Sequence, residues 1–167
     1  HILKIRFINQ HHSTIETIKN NEGRLTVIIN YNLYLERIRA GEKGLNPYLD
    51  YFNIVLTDLA SGHACFKMPV RPEYLQGAKT LQGGLIVALA DEAIAHAMMT
   101  QLGPDEGLTT IELKSSFLSG VADGELFAEA SVLKKGRNLM ICDCIVTKGE
   151  GKKICRVSAT FMLLKIK

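Results

Sequence analysis

A chain of 167 residues can bury most of its apolar surface in one core, and 47% hydrophobic content without low-complexity tracts reads as an ordered globular protein. Its small, dispersed net charge of +3 excludes a nucleic-acid-binding footprint. No apolar run reaches the roughly 18 residues of a membrane span, because Asp91 and Glu92 interrupt the best candidate.

Residues 1–30 form an extension of uncertain structure, followed by a single domain over 31–167. The opening HILKIRFINQHH lacks the apolar core and cleavage site of a signal peptide, so a cytoplasmic, membrane-free protein is expected. His11 and His12 have no Cys or third His nearby, and no metal site is expected. LTVIIN fits a short strand or the approach to a helix. NLYLERIRA, Asn32 to Ala40, sets Leu33, Leu35, Ile38 and Arg39 around a short amphipathic helix that stops near Gly41. Asn46-Pro47 reads as a turn.

From Tyr51 the period becomes two. YFNIVLTDLA, the turn SGH and ACFKMPV predict an antiparallel hairpin with Ala64, Phe66, Met68 and Val70 on one face. Arg71 to Leu81 reads as a loop, and Gly83 to Gln101 as a long helix ended by Gly103-Pro104. Four strands are predicted after it. TTIELKSSFLS puts Thr109, Ile111, Leu113 and Phe117 on one face, apart from Ser115. ELFAEASVLKK alternates Leu126, Ala128, Ala130 and Val132; NLMICDCIVTK is apolar on both faces; KICRVSATFMLL aligns Cys155, Val157, Ala159, Phe161 and Leu163. Cys142 and Cys144 share a strand face and read as core thiols, with no disulfide-scaffold spacing among them, Cys65 and Cys155. A single long helix followed by a meander buries its apolar surface only if the antiparallel sheet wraps around it, an α+β architecture of hot-dog type.

The helix carries the chemistry. TLQGGLIVALADEAIAHAMM opens on Gly83 and Gly84, where backbone N–H groups and the helix dipole favour negative charge. Asp91 and Glu92 sit in its middle, where a carboxylate among Leu, Ile, Val, Ala and Met is expensive unless it has a partner or a task. An oxyanion-binding start and a buried carboxylate suggest acyl transfer.

This stretch resembles the signature of hot-dog acyl-CoA thioesterases of the 4-hydroxybenzoyl-CoA and PaaI-like branch: T-L-H-G-G, small apolar residues, then an acidic residue nine positions after the His. MPVRPEYL, T-x-E-L-x-x-x-F-L and GELFAEASVLKKGRNL extend the likeness over roughly residues 46–164. The resemblance implies that the Gly83 N–H polarises the thioester carbonyl and that Asp91 is nucleophile or general base. It implies that Gln76 helps hold the water or carbonyl, and that Thr109 supplies an assisting hydroxyl. Gln82 stands where the family has His, so positioning by hydrogen bonds survives and any titrating role does not. Gly84, Glu92, Lys134, Lys135, Arg137 and Asn138 are candidate contacts for substrate or coenzyme A, the cations facing its phosphates. Coenzyme A enters only as part of the substrate, and no other cofactor is expected.

Gly83 and Asp91 are eight residues apart, about 12 Å along one helix. One substrate carbonyl cannot meet both in a single subunit. The geometry therefore predicts a homo-oligomer in which Gly83 of one chain works with Asp91 of its partner, and the apolar outer face of NLMICDCIV is a candidate for further burial in a dimer of dimers. Glu92 is also four residues before His96, an ordinary helix pair. Two other readings stay open. Asp91-x4-His96 has the spacing of MaoC-like enoyl-CoA hydratases, although their motif lies at a loop-to-helix junction and DEAIAH is mid-helix. A non-catalytic acyl-CoA-binding module is the other, favoured by Gln82.

Overall fold

The computed structural model describes residues 3–4, 15–19, 25–149 and 151–165, with side chains from residue 30 onward. His11 and His12 lie outside the described residues. Strands β1 (Leu3–Lys4), β2 (Ile15–Lys19) and β3 (Leu25–Ile29) form a small antiparallel sheet, so LTVIIN is a strand. Helix α1 (Tyr31–Arg39) follows, capped by Asn30, whose side chain accepts from Leu33 N at 3.0 Å, and buries Leu35 and Ile38.

The Asn46-Pro47 pair does not make a simple turn. It starts a second short helix, α2 (Pro47–Phe52), with Asn46 Oδ1 capping Tyr48 N at 3.1 Å and Pro47 in the first turn. Asn53 ends it in the left-handed region at φ 51°. Tyr51 and Phe52 therefore belong to a helix, and the hairpin begins later, as β4 (Val55–Ala60) and β5 (His63–Pro69). Gly62 turns this hairpin at φ +72°, with Gln101 Nε2 so near that a Cβ would lie 2.5 Å from it. The loop before the long helix holds a single 3₁₀ turn, Pro72–Tyr74, and a bridge between Leu75 and Leu81.

Helix α3 (Gly83–Met99) is followed by β6 (Glu106–Phe117), β7 (Glu125–Lys135), β8 (Leu139–Lys148) and β9 (Lys152–Lys165). The six strands from β4 on form one antiparallel sheet in the order β4-β5-β7-β8-β9-β6, so β4 and β6 are its edges. Its inner face is apolar in register: Phe66 opposes Ala128, Ala130 opposes Cys144 and Cys142 opposes Ala159, all 3% exposed or less. Cys142, Cys144 and Cys155 are buried thiols of this core.

The sheet wraps one side of α3. Ile86, Leu89, Ala90, Ala93, Ile94, Ala97 and Met98 are buried, at helical spacing. The rest of the circumference is not enclosed. Leu85, Val87, Ala88, Asp91, Ala95 and Met99 stay half-buried, and Gly84 is exposed.

Strand β6 departs from simple alternation. A bulge between Thr110 and Glu112 shifts its register against β9. Thr110 opposes buried Phe161 and Leu113 opposes buried Ala159, whereas Thr109 opposes Met162, which is 42% exposed. Thr109 thus stands on the outer face, not beside Leu113 and Phe117. That outer face is apolar at one end: Leu139 opposes Met162, with Ile141, Leu164, Ile111 and Leu133 also exposed.

Ala90 and Ala93 let the sheet approach α3 closely, both being 0% exposed. Ala93→Leu should therefore destabilise the fold by about 1–3 kcal/mol through overpacking, while Ala122→Leu, at an exposed position before β7, should cost under about 1 kcal/mol. Urea unfolding of both variants checks this.

Candidate active site

At its N-terminus α3 offers unpaired donors. The N–H groups of Gly83 and Gly84 have no intrahelical acceptor, as in the first turn of any helix. Gln82 is the N-cap; its side chain is exposed and makes no capping bond, while its backbone N–H donates to Tyr74 O at 3.1 Å. The Phe117 ring lies over Gly83, and a Cβ there would come within 3.1 Å of Phe117 Cζ, so the close approach requires glycine. Gly84 opens to free space. Gln76 stays in its own loop, its amide donating to Thr80 Oγ1 at 2.8 Å and accepting from Ala78 N at 2.9 Å.

At mid-helix the two carboxylates have different surroundings. Asp91 Oδ1 is buried and has no hydrogen-bond partner, and burial raises the Asp91 pKa. Glu92 is held up at about 7, first by burial and further by the Asp91 charge, against a hydrogen bond from Asn46 that pulls the other way.

Around Glu92 runs a directed chain of hydrogen bonds. Glu92 O can only accept, so the His96 Nδ1 that meets it at 2.7 Å carries the proton. His96 Nε2 then accepts from Tyr34 Oη at 3.2 Å, Tyr34 Oη accepts from Asn46 Nδ2 at 3.4 Å, and the same Nδ2 donates to Glu92 Oε2 at 3.1 Å. His96 is 1% exposed, and burial lowers its pKa to about 4, so it is neutral at pH 7. Its 3.6 Å approach to Glu92 Oε2 is therefore not an ion pair, and both ring nitrogens are spent on structure. Tyr34, Asn46 and Tyr48 had no signal in sequence periodicity, and the i,i+4 spacing of Glu92 and His96 gave no sign of the bond from Tyr34. They meet here through α1 and α2, which cover α3 from outside the sheet.

The remaining sequence candidates lie elsewhere. Lys135 binds Glu106 and Gln101 O, near the C-terminal end of α3, and Lys165 joins the same carboxylate. Lys134, Arg137 and Asn138 are exposed around the β7–β8 turn. Thr109, on the outer face, does not accompany Asp91 within one protomer. Among the described residues no cluster of three or more His, Cys, Asp or Glu could hold a metal ion, and no helix is long and apolar enough to cross a membrane.

The raised Glu92 pKa sets a pH dependence. A carboxyl that holds its proton more tightly when folded than the ordinary value of about 4.3 gives stability that is complete below that value. That stability is lost as pH rises through about 7. Glu92→Gln should therefore flatten the fall in melting temperature between pH 5 and pH 8, recovering at most about 3 kcal/mol at pH 8. Thermal melts across that range check it.

Comparison with known proteins gives the same picture. A family model described as the thioesterase superfamily matches residues 78–155, which include the start of α3 and both carboxylates. A putative esterase of Saccharolobus solfataricus is 24% identical over 125 residues, 75% of this chain and 89% of that protein. The phenylacetic acid degradation protein PaaI of Thermus thermophilus superposes with a TM-score of 0.66 at 26% identity, covering 71% of this chain and 100% of that one. A thioesterase of Haemophilus influenzae shares the fold with a TM-score of 0.71 at 22% identity, over 79% and 91% of the two chains. The wrapped helix, its glycine start and its mid-helix carboxylate thus lie in the part of the chain that matches the thioesterase superfamily model, and the whole has the hot-dog fold of its thioesterase and PaaI structural neighbours.

Proposed function

We propose that this protein hydrolyses an acyl-CoA thioester to a free acid and a thiol, in sites shared between two copies of the domain spanning residues 31–167. The observation that carries this reading is Asp91: a carboxylate with a buried, unpartnered oxygen, on the half-buried stripe of the same helix whose glycine start offers unpaired N–H donors. Water attacks the carbonyl carbon while Asp91 takes one of its protons. The Gly83 N–H, at the positive end of the helix dipole, stabilises the oxyanion that develops. The tetrahedral intermediate then expels the thiolate, which collects the proton from Asp91. Asp91 acting as nucleophile is the variant of this chemistry in which an anhydride precedes the water.

The two groups stand about 12 Å apart on one helix, so a shared site needs a second chain. Two surfaces favour assembly. Strand β6 is a 12-residue edge with an unpaired side, and it ends at Phe117 over Gly83. The half-buried stripe Val87, Ala88, Asp91 and Ala95 is small and apolar enough for close approach of another chain. The exposed apolar end of the outer sheet face, around Leu139 and Met162, supports a dimer of dimers. The hydratase reading loses its base, because His96 is buried and bonded at both nitrogens. A binding module without turnover is the reading the experiment must separate.

Thiol release from a panel of acyl-CoAs should be detected for the parent and should fall on the order of 10²–10⁴-fold in Asp91→Asn. Gly83→Pro, which deletes the N–H and also sets a Cβ against Phe117, should lose at least on the order of 10²–10³-fold, and Gly83→Ala, which adds the Cβ but keeps the N–H, should lose less. Binding without thiol release by the parent, or an unimpaired Asp91→Asn, contradicts the proposal.

A further inference from the structure

Asp91 Oδ1 is not alone among the described residues in being buried without a hydrogen-bond partner; Tyr48 Oη shares that condition. Both belong to one neighbourhood. The Tyr48 phenol is held up at about 12, first by burial and then by the charges of Glu92 and Asp91, so it keeps its proton throughout the working range. Its position is fixed from several sides. The Tyr48 N–H donates to Asn46 Oδ1 at 3.1 Å, and the same Asn46 side chain is tied to Glu92, the residue after Asp91. The Tyr48 ring packs on Phe52 with centroids 4.8 Å apart, and Phe52 on Tyr74 at 5.3 Å. Tyr74 O in turn receives the backbone N–H of Gln82, at the start of α3. An aromatic row thus connects the carboxylate region with the glycine end of the same helix. The Tyr48 hydroxyl and Asp91 Oδ1 are thus two buried, unpaired polar atoms, one on the residue tied through Asn46 to Glu92 and the other on the residue next to Glu92, and each lacks a polar partner.

We propose that Tyr48 is a further catalytic residue of the site: Tyr48 Oη and Asp91 Oδ1 each accept one hydrogen of the attacking water. This rests on the hydrolytic reading above. With both hydrogens held, a lone pair of the water oxygen is turned toward the acyl carbon. As the new C–O bond forms, Asp91 takes one proton and Tyr48 Oη keeps the other hydrogen bond without giving up its own proton. When the C–S bond breaks, the proton on Asp91 passes to the sulfur, leaving acid and thiol. Tyr48 thereby orients the nucleophile and is not itself the base.

The test uses the full chain labelled with [13Cζ]tyrosine, which has five tyrosines, the Tyr48 signal being the one lost in Tyr48→Phe. At pH 7 the Tyr48 resonance should move in Asp91→Asn, stay in place in Asp123→Asn, and move when a non-hydrolysable thioether analogue of an acyl-CoA is added. Tyr48→Phe, which keeps the ring and its packing, should lower kcat on the order of 10²-fold while KM changes by less than about threefold. A Tyr48 resonance indifferent to both Asp91→Asn and the analogue overturns the proposal, as does a Tyr48→Phe enzyme with parental kcat. A parent that releases no thiol defeats the hydrolytic reading, not the shared site. The latter then stands if the analogue moves Tyr48 and falls if it does not.

Discussion

Two adjacent carboxylates in the middle of a helix that must also be the core are the constraint to which the rest of this structure answers. Each fully buried Leu, Ile or Met on α3 contributes about 1.5–3 kcal/mol relative to exposure, which draws the helix into the sheet. An unpaired charge at the same depth opposes that by several kcal/mol. The fold separates the two demands by angle. One stripe of α3 goes to the sheet, and the carboxylates emerge where the sheet stops. There α1 and α2 supply what the sheet cannot: Asn46 meets Glu92, while Tyr34 and His96 close the chain of hydrogen bonds.

That arrangement gives the carboxylates unequal roles. Glu92 is tied into the Asn46 network and holds a proton up to about pH 7, whereas Asp91 keeps one buried oxygen unpaired. Under the proposed mechanism this inequality leaves structure to Glu92 and proton transfer to Asp91. In the proposed enzyme α2 is part of the machinery, because the same Asn46 that starts it also holds Glu92 and carries Tyr48 to the carboxylates.

Most of the fold was legible in the sequence because its signals are periodic. Strict alternation marks β7 and β9, a segment apolar on both faces marks β8, and a long apolar run marks α3, so a sheet around one helix follows. The separation of Gly83 from Asp91 was legible too, since the rise per residue in a helix is fixed. Helix α2 was not, because six residues are too few for a helical period. Its only markers, an Asn cap and a Pro in the first turn, also begin turns. Thr109 was assigned to the wrong face because a bulge at Ile111 carries no glycine or other sequence marker. The Tyr34–His96 contact joins residues 62 apart and depends on how α1 docks, which no local pattern encodes.

The division of one site between two chains is the claim on which this account of function depends, and mixing two inactive variants tests it directly. Gly83→Pro and Asp91→Asn should each be nearly inactive, yet subunit exchange between them should restore about a quarter of parental activity. Statistical pairing makes half of the dimers mixed, and each mixed dimer has one intact site of two. A mixture no more active than its two components would contradict a site built from Gly83 of one chain and Asp91 of the other.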